Sequence, residues 1–190
     1  LSVPLEREGP QLPEFQKTWK VCHFWHMHNP QVSFVDDMVT MEVHSGTHID
    51  ALGHVWADDA MYNNHPESEI TSRGICKNGI ENVEYMVGRG IMLDIPAYKG
   101  FELIGPIYII TGEDLDGTAK AQGISIETGD IVLVRTGWYT LFDTDRSLWK
   151  SRFPGPDGTL APWLKRLDIC ALGAAPPTEE AQPPTYNSAP

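Results

Sequence analysis

The apolar runs of this chain are short, β-branched and closely bracketed by turn formers, and that pattern restricts the fold more than any other feature. Val39 to Val43, Ile91 to Ile95, Ile107 to Thr111 and Ile131 to Thr136 are bounded mostly by Gly, Pro or Asp, so each is read as a strand. Between the last two, Thr111 is placed to cap a helix, Glu113 and Asp114 open its first turn and Gly123 ends it. Ile124 to Ile126 reads as a brief strand, followed by a turn at Thr128-Gly129-Asp130. The segment from Gly137 to Pro162 carries Trp138, Tyr139, Phe142, Trp149 and Phe153 without clear periodicity and is expected to be a partly helical surface excursion. Asp168 to Leu172 is a further strand candidate. From Pro176 to Pro190 five prolines in fifteen residues exclude a regular element. No internal repeat or linker divides the chain, so residues 1–190 are expected to form one domain.

Size and charge narrow the function. A chain of 190 residues can bury about 70% of its unfolded surface, so it needs no structural metal to fold, and any metal site in it is functional. Fourteen basic against 26 acidic residues leave a net charge of −12, which repels nucleic acid and anionic membranes. No stretch approaches the roughly 18 to 20 apolar residues that span a bilayer, and the N-terminus lacks the layout of a signal peptide. Cys22, Cys76 and Cys170 are odd in number and widely spaced, which argues against a disulfide framework and for a reducing, cytoplasmic setting. They are expected to be buried apolar residues, as are Met41, Met86 and Met92.

The chemistry is concentrated near one end. All seven histidines fall between His23 and His65, and six of them form two groups. In His44-Ser45-Gly46-Thr47-His48-Ile49-Asp50, the side chains of His48 and Asp50 share one face of an extended segment, and Gly46 permits a turn that swings His44 to the same point. Two imidazoles and a carboxylate suit Zn²⁺, Mn²⁺ or Fe²⁺, and three protein ligands leave positions open, as in catalytic sites. His54 follows four residues after Asp50; a helix beginning at Asp50 would lay it over the same face as a general acid or base.

The second group, Cys22 to His28, reads as a strand with Phe24, His26 and His28 on one face and His23, Trp25 and Met27 on the other. It is either a second metal site or a wall of aromatic and imidazole groups lining a pocket or a subunit contact. No acid is interleaved, which favours the wall. Phe24, Trp25, His26, Trp56 and Tyr62 are the pocket candidates, with core packing as the alternative for Trp56 and Tyr62.

The run from His44 to Ala51, with His54 beyond it, resembles the His-x-Gly-Thr-His-x-Asp-Ala-x-x-His signature of the cyclase-like metal-dependent hydrolases, the group of kynurenine formamidase and isatin hydrolase. Leu1 to Leu5, Thr71 to Gly74, Gly90 to Asp94 and Gly129 to Trp138 resemble other segments of that family. The resemblance implies an α/β architecture, a swivelling β/β/α fold with a mixed central sheet and peripheral helices, assembled as a homo-oligomer. It implies hydrolysis of the C–N amide bond of a small aryl formamide or cyclic amide by metal-activated water. His44, His48 and Asp50 match the family's ligands of a divalent metal, Zn²⁺ or Mn²⁺, and His54 matches its catalytic histidine. The family completes its site with a His and a Glu from a later segment, whereas this chain has no histidine after His65. The resemblance therefore also implies a domain continuing beyond Pro190. It leaves a rival reading, a non-catalytic metal-binding or interaction protein of the same fold.

Overall fold

The computed structural model describes residues 2–3, 9–10, 21–28 and 31–175, with the side chains of 21–28, 37 and 175 outside the description. The Pro-rich segment 176–190 lies outside the described residues, as do Leu1, Pro4 and Leu5 of the N-terminal run. In chain order the strands are β1 (Val21–His28), β2 (Ser33–Thr40), β3 (Ala60–Met61), β4 (His65–Pro66), β5 (Ile70–Thr71), β6 (Gly74–Ile75), β7 (Gly90–Asp94), β8 (Ile131–Arg135) and β9 (Ala171–Ala175). The α-helices are α1 (Ile95–Lys99), α2 (Gly112–Gln122), α3 (Leu141–Thr144), α4 (Arg146–Trp149) and α5 (Ala161–Leu167). The fold is α/β: β7, β8 and β9 form a parallel sheet, and three antiparallel two-stranded sheets precede it in the chain.

Alternation along the central strands fixes which face is covered. Ile91 and Leu93 on β7 and Val132 and Val134 on β8 are buried, and they pack with Leu115 and Ala119 of α2 and Trp163 of α5. The residue between the first pair, Met92, is 38% exposed, so it faces away from this core. Helix α2 starts and stops as its sequence dictates. Thr111 accepts from the Asp114 amide while the Asp114 carboxylate accepts from the Thr111 amide, and Gly123 closes the helix at φ +68°. Asp114 is itself buried, and its charge is matched by Lys99 at 2.6 Å and by the Tyr108 hydroxyl at 3.1 Å.

A second pair holds the starts of the parallel strands together. Arg89, just before β7, reaches Asp130, just before β8, through two parallel bonds, Nε to Oδ1 at 2.8 Å and Nη2 to Oδ2 at 2.7 Å. The Glu127 amide also donates to Asp130 Oδ2 at 2.7 Å, and the Asp130 carbonyl accepts from the Cys170 amide at 2.8 Å, which extends the tie toward β9. These donors hold the Asp130 carboxyl down at about 2.

Several expectations change on contact with the structure. The run from Val39 to Val43 is strand only at Val39 and Thr40, because the β1 ladder ends where Val21 pairs with Thr40. Ile107 to Thr111 is not a strand: Ile107 sits at φ +56°, and only Ile109 makes a bridge, to Gly155. Ile124 to Ile126 forms no strand either, although Ile124 and Ile126 pack against the core. The aromatic segment after Gly137 is not a surface excursion, since Trp138, Leu141, Phe142, Trp149 and Phe153 form a buried core of their own around short helical turns. The last strand is Ala171–Ala175 rather than Asp168 to Leu172, because α5 runs to Leu167 and Asp168 caps it in the left-handed region. Cys76 and Cys170 are exposed rather than buried, and so are Met86 and Met92. Among the described residues no helix is long and apolar enough to cross a membrane.

The Arg89–Asp130 pair gives a signed pH prediction. The Asp130 carboxyl lies at about 2 in the fold, below its ordinary 3.8, so its contribution is full above the ordinary value and is lost as pH falls toward 2. Asp130→Asn is expected to lower the melting temperature at pH 6 and to differ much less from the parent near pH 2. A difference independent of pH would contradict the assignment.

Candidate metal centre

The loop between β2 and β3 carries the four candidate residues, and its backbone supplies their convergence. Gly46 lies at φ +63°, a conformation that costs glycine little and folds His44 back toward His48. The result is a close set of three donor atoms. His44 Nδ1 lies 3.1 Å from Asp50 Oδ1 and 3.3 Å from His48 Nε2, and His48 Nε2 lies 3.5 Å from Asp50 Oδ1. Among the described residues, His44, His48 and Asp50 are the group whose ligand atoms gather closely enough for one ion.

Donor chemistry and spacing both fit a transition metal. Ligand atoms about 2.0 to 2.1 Å from a tetrahedral ion stand about 3.3 Å apart, and those around an octahedral ion about 3.0 Å apart. The observed 3.1 to 3.5 Å brackets the tetrahedral spacing and begins just above the octahedral one, so it does not select the metal. His48 is also oriented for the role. Its Nδ1 lies 3.1 Å from the Gly46 carbonyl, so Nδ1 carries the proton and Nε2 keeps its lone pair toward the other two donor groups. The site is open to solvent on the carboxylate side, with side-chain exposures of 16% for His44, 29% for His48 and 47% for Asp50.

His54 reaches the group by a turn rather than by a helix. Its amide donates to the Ala51 carbonyl at 2.9 Å, and its ring meets that of His44 at a centroid distance of 4.3 Å, tilted by 33°. Gly53, beside it, was not singled out in the sequence. A Cβ there would lie 3.2 Å from Ile75 Cγ2 and 3.3 Å from the carbonyls of Lys77 and Asn78, and the Gly53 amide donates to Asn78 at 3.0 Å. This close approach pins the far end of the metal loop against the β5–β6 hairpin and the segment after it.

The pocket candidates divide. Phe24, Trp25 and His26 lie on β1, where their side chains are outside the described residues. Trp56 lies just beyond His54, with its indole N–H donating to Glu67 at 3.3 Å, and Tyr62 is exposed. A cavity of about 550 Å³ near the ends of β7 and β8 is lined, among the described residues, by Phe101, Leu103, Arg135 and Leu141 with others, and neither Trp56, Tyr62 nor the donor set is among them.

A family model described as "Putative cyclase" matches residues 1–179. The chain belongs to the Cyclase family. A solved structure of a novel cyclase superimposes with a TM-score of 0.82 at 28% identity, covering 95% of this chain and 66% of that one. Isatin hydrolase A from Ralstonia solanacearum superimposes with a TM-score of 0.63 at 18% identity, over 95% of this chain and 67% of the other. Isatin hydrolase A from Labrenzia aggregata, bound to benzyl benzoate, gives 0.61 at 20% identity, over 95% and 68%. The chain thus spans about two thirds of the length of these cyclase-fold structures, and the two isatin hydrolases share its fold. Among curated proteins none is similar enough in sequence to match.

The geometry predicts metal content directly. Protein purified without chelator is expected to carry a divalent transition metal by elemental analysis, and His44→Ala combined with His48→Ala is expected to bring it to background. Metal content unchanged in that double variant would remove the site.

Proposed function

We propose that this Cyclase-family chain is a metal-dependent hydrolase that cleaves the C–N amide bond of a small aryl formamide or cyclic amide. The observation that carries the reading is the convergence of His44 Nδ1, His48 Nε2 and Asp50 Oδ1 within 3.5 Å on one turn. Support also comes from the shared fold with isatin hydrolases.

The chain's residues divide the work as follows. His44, His48 and Asp50 would hold the cation, as two neutral donors and one anion. When bound, a divalent cation at such a site makes water acidic enough to supply hydroxide near neutral pH and polarises the carbonyl oxygen of an amide. The Gly46 carbonyl keeps the His48 imidazole in the tautomer that leaves Nε2 free. His54 takes a proton from the attacking water and returns it to the leaving nitrogen, which would otherwise depart as an amide anion. Its ring stands against His44 and outside the donor set, near enough to serve and not engaged as a ligand.

A single loop thus separates holding from proton transfer, and substitution distinguishes the two. Asp50→Ala is expected to lose metal and turnover together. His54→Ala is expected to keep its metal and lose about 10² to 10⁴ in the rate constant, the usual range for general acid–base catalysis, in an assay with an aryl formamide or cyclic amide. Loss of metal from His54→Ala would make it a ligand and reverse the division.

Homo-oligomeric assembly belongs to the same proposal. Phe34 and Met38 on one face of β2, and Val35 and Val39 on the other, are exposed apolar side chains of the kind that subunit contacts cover. Light scattering at micromolar concentration is expected to give a multiple of the 21.2 kDa chain mass; the mass of one chain would count against assembly.

A further inference from the structure

The metal loop has little regular structure of its own, so something outside it must hold its shape. From His44 to Asp50 only Ser45 makes a bridge, and Ser45 is also the buried residue of the run, 2% exposed. Two contacts from the N-terminal segment fall on the residues next to it. The Gly46 amide donates to the Pro10 carbonyl at 3.0 Å, and the Thr47 hydroxyl oxygen accepts from the Val3 amide at 2.9 Å. Both are long-range: the chain returns over about forty residues to make them.

The Gly46 peptides are therefore held on both sides. The amide of Gly46 is fixed by Pro10, and its carbonyl meets His48 Nδ1 at 3.1 Å. Gly46 alone is free to take many backbone conformations, and the one it adopts, at φ +63°, brings His44 and His48 together. A loop that must order itself when the ion arrives loses affinity by the cost of that ordering, whereas one already braced does not.

We infer that Val3 and Pro10 brace the metal loop and that Thr47 is its positioning residue, acting on metal affinity through the Val3–Thr47 hydrogen bond. The inference rests on the metal-site reading above and adds to it a determinant that touches neither metal nor substrate. Thr47 carries no ligand atom in the donor set; its side-chain hydroxyl takes the bond from Val3 at a position between the two histidines.

The test removes the same bond from either end. Thr47→Val keeps the shape and removes the acceptor, Val3→Pro removes the donor N–H, and Thr47→Ser retains the oxygen. Binding of Co²⁺ is followed by its visible ligand-field absorption, which also reports coordination geometry. Partners that orient metal ligands typically contribute 10- to 100-fold to affinity, so Thr47→Val and Val3→Pro are each expected to weaken Co²⁺ binding about tenfold. The double variant should be no weaker than either single one, because both remove one interaction, and Thr47→Ser should bind as the parent does. Parent-like binding by Thr47→Val, or additive losses in the double variant, would overturn the brace while leaving the metal site intact. A parent chain that binds no Co²⁺ would overturn the metal-site reading, and the brace with it. Val3→Pro lies far from the loop in sequence and keeps the comparison decisive should Thr47→Val fail to fold.

Discussion

Two imidazole nitrogens and a carboxylate oxygen on a seven-residue loop come within 3.5 Å of one another because the backbone reverses between the first donor and the second. Gly46 makes that reversal at φ +63°, where a side chain would add strain. The consequences extend along the loop. With the peptide turned, the Gly46 carbonyl faces the His48 ring and sets its tautomer, and the Gly46 amide faces the N-terminal segment. One residue without a side chain thus determines which nitrogen of His48 is available and which distant backbone supports it.

The central sheet supplies rigidity. The parallel β7–β8–β9 sheet is covered on one face by α2 and α5, and its strand starts are tied by the bidentate Arg89–Asp130 pair. Bidentate geometry matters here because two parallel bonds fix orientation as well as distance. The metal loop meets this body indirectly, through Gly53 against Ile75 and the Lys77 and Asn78 carbonyls. A loop anchored at its N-terminal side by Pro10 and Val3 and at its far end by Asn78 is held at both ends while its ligands stay partly open to solvent.

What was legible in the sequence was local. The capped helix α2, the strands β7 and β8 and the Gly46 turn follow from residues within a few positions of one another and are present, although Ile95 opens α1 instead of ending β7 and β8 stops at Arg135, one residue before Thr136. The failures were non-local. Ile107 to Thr111 has the composition of a strand, but its place beside Gly155 and the positive φ at Ile107 are set by tertiary packing. The aromatic segment lacked periodicity because its burial comes from several short turns folding onto each other, Trp138 against Trp149 and Phe153, and not from one amphipathic helix. Helix α5 did leave a signal, Pro162 in its first turn and Lys165 and Arg166 in its last, which the prominence of the aromatics obscured. The bonds from Pro10 and Val3 left none, since a backbone carbonyl and a backbone amide have no sequence signature.

On the proposed function, the placement of His54 lets one loop carry both ligands and a proton carrier. A general base must keep its lone pair, so it cannot also give it to the metal, yet it must stand within reach of the same water. A helix from Asp50 would have stacked His54 directly over the carboxylate, on the open side of the site. The turn at Ala51 instead lays its ring beside His44, at 4.3 Å, where one imidazole face occupies the other and the nitrogen is kept out of the donor set. Gly53 eases this path, because the chain passes so close to the Lys77 and Asn78 carbonyls that a Cβ would press on them at 3.3 Å just before His54. The small residues on either side of the ligands, Gly46 before and Gly53 after, therefore partition four similar side chains into three that converge and one that stands apart.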